Sequence, residues 1–470
     1  MTLVPSEIEP AWYALEWIIR IGALAMVPLR RTPAATRSWL LLIFFLPVPG
    51  LLLFLVIGRP RFPQLRRKRF EALKPFIAEV ADRVGAVGSS GCQGTEAIAE
   101  LAQQLGGFPA VDGNEIELID DYDAGIDRLI ADIDAAKRWV HLLSYILADD
   151  AVARKVIAAL GRAKERGVRC RVMLDPVGSR RWRRGALRLL AEAGVETRLA
   201  LPFHLLRGRT RRDMRNHRKL FVIDGMIGYA GSQNIIAKNF RKGVTNRELI
   251  ARVRGPVVAE MAAIVEVDWC IEAEDEVCEP IEIPAAAGNG CAQLLPSGAE
   301  YRLQGFETLL VWQLHQSCER AVIVTPYFIP DEDVVTAMRT AVARGVEVEV
   351  IVSAVVDQRL VNLAQRSYYD ELLSAGVRIH CYRDYLLHAK NVAIDGRLAI
   401  IGSSNVDIRS FQLNDEVSLL LYDRDSVSRL EAVQAGYVGG SDELDLVRWR
   451  ARPQLRKFIE NIARLLGPLF

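Results

Sequence analysis

Metal-site spacing is missing from this sequence. Its seven cysteines are scattered, no Cys-x-x-Cys pair occurs, and there are only six histidines in 470 residues. A zinc centre is therefore not expected, and neither a metal nor any other cofactor is assigned to the chain. The cysteines (Cys92, Cys170, Cys270, Cys278, Cys291, Cys318 and Cys381) are odd in number and irregular in spacing, which reads as buried free thiols in a reducing compartment. A dominant charge is missing too. Sixty basic residues face 58 acidic ones, a net +2, so bulk electrostatics select no partner. Disorder is also excluded, because half of the residues are apolar and a quarter are charged.

What the chain does have is a repeated polar pattern. His217, Lys219, Asp224, Gly231, Ser232 and Asn234 recur at identical spacing, 171 positions on, as His388, Lys390, Asp395, Gly402, Ser403 and Asn405. Six matched identities do not recur by accident. Side chains two apart on a strand face the same way, so each histidine projects with its lysine. Asp224-Gly225 and Asp395-Gly396 separate apolar runs and predict hairpins. Within the catalytic set these aspartates therefore read as turn-making or orienting, not as proton carriers. Glycine before serine lets the backbone pass close to a bound group, and Ser and Asn can donate hydrogen bonds. Two His/Lys sets suit phosphodiester chemistry without a metal. One imidazole attacks phosphorus, the other protonates the leaving alkoxide, and the lysines neutralise the non-bridging oxygens. The rings are expected to begin in opposite protonation states. Tyr145 and Tyr327 recur at matching strand ends, where pocket lining and core packing both stay open. His141, His204, His315 and His380 have no repeated context and are read as structural.

Around the motifs the chain alternates strand and helix twice. Residues 139–145 and 170–174 in one half match 321–327 and 348–352 in the other, each with a helical stretch and an Arg-Gly-Val turn between. This predicts an α/β body of duplicated domains, with largely parallel sheets flanked by helices. The expected domains are 95–279 and 295–470, joined through a Pro/Gly-rich connection near 279–299. A Gly/Ser-rich patch at 85–94 reads as a linker from an N-terminal membrane anchor, residues 1–70.

Two apolar runs define that anchor. Residues 39–57 are uncharged, long enough to span a bilayer, and interrupted by Pro47, Pro49 and Gly50, so a kink or a re-entrant hairpin is open. Residues 11–29 carry Glu16 and Arg20, four apart, and form a weaker span or an interfacial helix. Six basic residues after the second run (Arg59, Arg61, Arg66, Arg67, Lys68, Arg69) outnumber Arg30, Arg31 and Arg37 between the runs. This places the body on the cytoplasmic side. Arg207, Arg209, Arg211, Arg212, Arg215 and Arg218 crowd the approach to His217 and favour an anionic substrate; Arg180, Arg181, Arg183 and Arg184 form a second cluster. The tail, Val447–Phe470, joins basic residues to apolar ones at helical spacing. It either rests on an anionic bilayer or packs on the body with a solvated basic face, the second being preferred.

The pattern His-x-Lys-x4-Asp-x6-Gly-Ser-x-Asn, present twice, resembles the phospholipase D superfamily. The apolar N-terminal segments and the basic Trp449-containing tail narrow the resemblance to bacterial cardiolipin synthases. The resemblance implies a pseudo-twofold active site in which Glu248 and Glu416, in Asn246-Arg-Glu248 and Asn414-Asp-Glu416, hold the histidines. It implies His217 as nucleophile and His388 as general acid, then base, with Lys219, Lys390, Asp224 and Asp395 completing the catalytic set. Ser232, Asn234, Ser403, Asn405 and Arg215, like the two glutamates, are substrate-binding or orienting residues. The implied reaction makes cardiolipin and glycerol from two phosphatidylglycerol molecules at a bacterial inner membrane, through a phosphatidyl-histidine, with no cofactor and no nucleic acid. A phospholipase D-type hydrolase, and behind it a superfamily nuclease, would use the same residues.

Overall fold

The structure, a computed structural model, describes residues 9–465 except residues 32, 59–63, 89–91, 93, 203–213, 274–276 and 302. His204, Arg59, Arg61, Arg207, Arg209, Arg211 and Arg212 lie outside the described residues. One sixteen-stranded sheet runs through both halves. Its centre is the antiparallel pair Val111–Ile119 and Gly290–Ser297. Outward from Val111–Ile119 come Ile250–Arg254, Ile227–Gly231, Leu220–Ile223, Trp139–Ser144, Arg169–Leu174 and Glu196–Leu199. Outward from Gly290–Ser297 come Asn414–Leu421, Leu398–Gly402, Asn391–Ile394, Arg320–Val324, Glu347–Ser353 and Arg378–Tyr382, with Ser441–Glu443 as an extra edge. The two series correspond strand for strand, so the repeat in the sequence is a twofold relation in space.

The sheet is mixed, which corrects the largely parallel expectation. Within the two series only the outer three strands pair in parallel, and the sixteenth strand, Arg215–Asn216, adds one more parallel pairing, with Asn414–Asp415. The outer strands belong to the predicted βαβ units, whose helices Ala151–Glu165 and Glu332–Ala343 return the chain. The Asp-Gly hairpins and the strands that follow them add antiparallel partners instead. Both hairpins turn as expected: Asp224 and Asp395 have φ of 54° and 51°, and Gly225 and Gly396 have 69° and 61°. Positive φ at both central residues is the type I′ geometry that matches strand twist. Under the centre lies the helix Val258–Glu272, buried from residue 258 to 271. Its Glu260 accepts from the Leu294 amide at 2.7 Å and so ties the halves.

The N-terminal run folds back on itself. Pro33–Phe45 and Pro47–Ile57 form a helical hairpin, with the Trp39 and Phe54 ring centroids 5.3 Å apart. In a straight helix fifteen residues would separate them by about 22 Å. Arms of 13 and 11 residues reach roughly 20 and 17 Å, short of the ~30 Å hydrocarbon core. Among the described residues no helix is long and apolar enough to cross a membrane, so the multi-pass expectation is not met. In the first helix, Glu9–Met26, Arg20 does pair with Glu16 at 3.0 Å.

Two further expectations change. Cys92 and Cys291, 199 residues apart, form a disulfide, so the seven cysteines are not all free thiols. Their proximity comes from packing of Glu96–Gly106 against Gly290–Ser297, which no local spacing reveals. Arg66, counted above as a charge flanking the membrane, is buried against Glu272, Glu300 and Asp415. It staples the helix Gln64–Gly85 to both halves, and it is not available to set orientation.

Candidate active site

Each histidine segment enters its hairpin through a two-residue strand that pairs with the opposite half. Arg215–Asn216 runs parallel to Asn414–Asp415, and Leu386–Leu387 to Asn246–Arg247. The His217 amide donates to the Asp415 carbonyl, and the His388 amide to that of Arg247, each at 2.8 Å. The next residue on each partner strand is a glutamate, which therefore lies beside a histidine of the other half. His217 Nδ1 is 2.9 and 3.0 Å from the Glu416 carboxylate oxygens. His388 Nδ1 is 2.8 and 2.9 Å from those of Glu248. With Nδ1 engaged, Nε2 is the nitrogen left for chemistry.

The glutamates are themselves fixed from within their own half. Ser403 Oγ donates to Glu416, as do Ser410 Oγ at 2.9 Å and Asn414 Nδ2 at 3.3 Å. Ser232 and Asn246 do the same for Glu248. The motif serines thus orient the glutamates, one of the two roles expected of them. The preceding glycines have a related reason. A Cβ on Gly231 or Gly402 would strike the carbonyl of Leu249 or Val417, just past each glutamate. Their close approach is to the neighbouring strand, not to a ligand.

Burial is the largest electrostatic influence. It pushes His217 and His388 down to about 4 each, against the upward pull of Glu416 and Glu248. Both rings are therefore neutral near pH 7, and burial alone does not set the expected split in protonation. Burial also lowers Lys219 to about 7 and Lys390 to about 8. Each ammonium donates to its own histidine carbonyl, Lys219 at 2.6 Å and Lys390 at 2.5 Å. Burial works against ionisation of Glu248 and Glu416, but their histidine and lysine neighbours outweigh it and hold both below the usual carboxylate range.

Both rings line one cavity of about 740 Å³. Asn234, Asn405, Tyr145, Tyr327, Arg215 and Arg181 line it as well. The open question about the tyrosines is thereby settled: Tyr145 stacks edge-on to His217 at 4.7 Å between centroids, and Tyr327 faces His388 at 6.3 Å. In the cavity lining Arg241 of the first half pairs with Asp357 of the second, which accepts from Tyr327 Oη at 2.6 Å. Asp224 and Asp395 are elsewhere. Asp224 accepts from the amides of Lys137, Arg138 and Trp139, and Asp395 from those of Cys318, Glu319 and Arg320, all within 2.7–2.9 Å. They fix the start of the strand beside each hairpin and do not touch the cavity.

The family described as cardiolipin synthase, phospholipase D-like domain, matches residues 129–269 and 310–435, the two stretches that carry these motifs. The chain belongs to this family. It is 32% identical over 469 residues to cardiolipin synthase A of Serratia proteamaculans (strain 568), covering 96% of each chain. It is 33% identical over 470 residues to cardiolipin synthase A of Klebsiella pneumoniae (strain 342), again with 96% of each covered. Among solved structures, phosphatidylserine synthase of Haemophilus influenzae Rd KW20 superposes with a TM-score of 0.60 at 14% identity, over 80% of this chain and 100% of that one. That likeness shows a common fold.

In this member of the cardiolipin synthase family the sequence reading missed several site residues. Asn246 and Asn414 line the cavity and brace the glutamates, and their signal was present as the same Asn-x-Glu spacing in both halves. Arg218, read from the sequence as part of a basic approach for an anionic substrate, is instead buried: it donates to the Glu416 carbonyl at 3.1 Å and pairs with Asp268 at 2.5 Å. Its counterpart is Ala389, so the repeat gave no hint of it. Arg409 and Asp407 line the cavity without a recurring pattern.

Proposed function

We propose that this chain is a phosphatidyl transferase that makes cardiolipin and glycerol from two phosphatidylglycerol molecules. The observation that carries this reading is the pair of histidines, each clamped by the other half's glutamate and both facing one cavity. In the first step His217 Nε2 attacks phosphorus as the bond to the head-group glycerol breaks. His388, protonated once the phosphodiester anion is bound, gives its proton to the departing alkoxide. In the second step His388 takes the proton from the glycerol hydroxyl of another phosphatidylglycerol. That oxygen bonds to phosphorus and His217 is released. Each step exchanges one bond to phosphorus for another, so no nucleotide is consumed. Glu416 stabilises the positive ring of the intermediate, while Lys219 and Lys390 neutralise the phosphoryl oxygens.

Asn246, Asn405 and Asn414 each present a buried side-chain oxygen without a hydrogen-bond partner among the described residues. These acceptors suit the hydroxyls of a glycerol head group. The N-terminal helices attach the enzyme to a bacterial membrane, lying in the interface instead of spanning it. Trp12, Trp17, Ile18, Leu24 and Phe45 are exposed there. The assay is incubation of the purified chain with phosphatidylglycerol labelled in its glycerol head group. Cardiolipin with released glycerol is the expected outcome, whereas phosphatidic acid alone would make the enzyme a hydrolase.

A further inference from the structure

The C-terminal helix, Gln454–Leu465, packs on the body with its polar side inward. Its buried residues are Glu460 and Ala463. Glu460 accepts from Arg366 Nε and Arg452 Nη1, each at 2.8 Å. The apolar residues are left outside: Leu455, Phe458, Ile459, Ile462 and Leu465 are 70, 61, 44, 44 and 56% exposed. At 100° per residue they occupy an arc of about 120°, the width of a stripe that a soluble helix turns toward its core. The helix packs on the body and Arg456 stays in solvent, as the preferred reading of the tail has it, but the apolar side chains face outward as well.

Two observations say what covers the stripe. The first is charge: between Val447 and Leu465 there are six basic residues, and Glu460 is the only acidic one. Arg450, Arg452, Arg456 and Arg464 pair with Asp370, Glu460 and Glu371, which leaves Arg448 and Lys457 with no carboxylate partner among the described residues. Apolar side chains beside these cations match an anionic bilayer, where the stripe enters the acyl boundary and the cations meet phosphates. The second is place. The helix Arg359–Arg366 packs against Gln454–Leu465 and begins beside the cavity, whose solvent-facing rim includes exposed Gln358 next to the lining residues Asp357 and Val361. Leu360 at that end is also exposed.

We propose that the outer face of Gln454–Leu465 docks in the interfacial layer of an anionic phospholipid bilayer and holds the cavity mouth at head-group level. The proposal deepens the transferase reading, since a lipid donor and a lipid acceptor must both reach that mouth, but its first test is independent of turnover. Full-length I462W, placed on vesicles of equal parts phosphatidylglycerol and phosphatidylcholine brominated high on its acyl chains, should show tryptophan quenching beyond that of the unmodified protein. In a second test F458D/I462D should lose at least tenfold in turnover of vesicle phosphatidylglycerol and stay within twofold on dispersed short-chain phosphatidylglycerol. Absence of added quenching in I462W overturns the proposal. So does equal loss on both substrates, unchanged vesicle turnover, or a fall in solution mass from dimer to monomer in F458D/I462D, which would make the face a contact between copies. If the unmodified chain makes no cardiolipin, the transferase reading fails while the quenching result still decides docking.

Discussion

Exchange of glutamates between the halves makes a directional prediction. Glu416→Gln keeps the shape of the side chain and an acceptor oxygen for His217 Nδ1, but removes the negative charge that stabilises the ring once it bonds phosphorus. A hydrogen bond to a charged group contributes roughly 1.5–3 kcal/mol more than its absence, and about 1.4 kcal/mol is a factor of ten in rate. Glu416→Gln should therefore lower kcat/KM by roughly 10- to 100-fold, although Glu416 belongs to the half that does not contain His217. Glu248→Gln should cost a similar factor through His388. The two are separated by the leaving group. A p-nitrophenyl ester of phosphatidic acid needs no proton on departure, so its first turnover should be restored in Glu248→Gln and should stay slow in Glu416→Gln, read as the burst of p-nitrophenolate after mixing. The reverse pattern would exchange the roles of His217 and His388. Losses below threefold in both variants would refute the argument that the cross-half carboxylates stabilise charge in the reaction.

Four further outcomes are expected. His217→Ala and His388→Ala should each abolish cardiolipin formation while leaving flotation with vesicles intact, and substantial turnover in either would remove the assigned roles. kcat/KM should fall as pH rises from 5 to 10, because His388 must take up a proton to act as the acid and because Lys219 and Lys390 lose theirs at about 7 and 8; a flat profile over that range would contradict both roles. Asp224→Ala strands three backbone amides and puts alanine at positive φ, so denaturant titration should show a loss of about 2–3 kcal/mol while kcat of the folded fraction holds. Arg218→Ala leaves Asp268 buried without its cation and should cost about 3–5 kcal/mol, part of which Asp268→Ala in the same chain restores.

Much of this site is local in sequence and was legible there. His217 with Lys219, the Asp-Gly turns and the Gly-Ser steps are fixed by spacings of a few residues, and a spacing that recurs after 171 positions marks them as a set. What could not be read depends on how one half lies on the other. The pairings of Arg215–Asn216 with Asn414–Asp415 and of Leu386–Leu387 with Asn246–Arg247 send each histidine to the distant glutamate. The motif shows only that a glutamate follows each serine. The mixed sheet has the same origin, because strand alternation predicts the βαβ units but not where the hairpin strands insert. Opposite protonation states do not follow from burial, for another reason: both rings meet the same burial and the same kind of carboxylate, so the protein treats them alike until an anion arrives.

The correspondence of strands about the Val111–Ile119 and Gly290–Ser297 pair is that of an isologous contact, in which residue i of one unit meets j of the other and j meets i. His217 with Glu416 and His388 with Glu248 are such a pair of contacts. A single half paired with its own copy would therefore rebuild both clamps. Joining the halves in one chain allows the two sides to differ, and they do: Arg215 and Arg218 stand where the second motif has Leu386 and Ala389. Arg218 crosses to the Glu416 carbonyl and binds Asp268, so the His217 side is braced by a cross-half contact that alanine cannot make. A ring that forms and breaks a bond to one phosphorus gains from being immobile. A ring that passes a proton out to glycerol and takes one back from an acceptor must meet two different oxygens. The extra bracing thus favours His217 as nucleophile, a choice that the near-symmetry of the sequence left to resemblance alone.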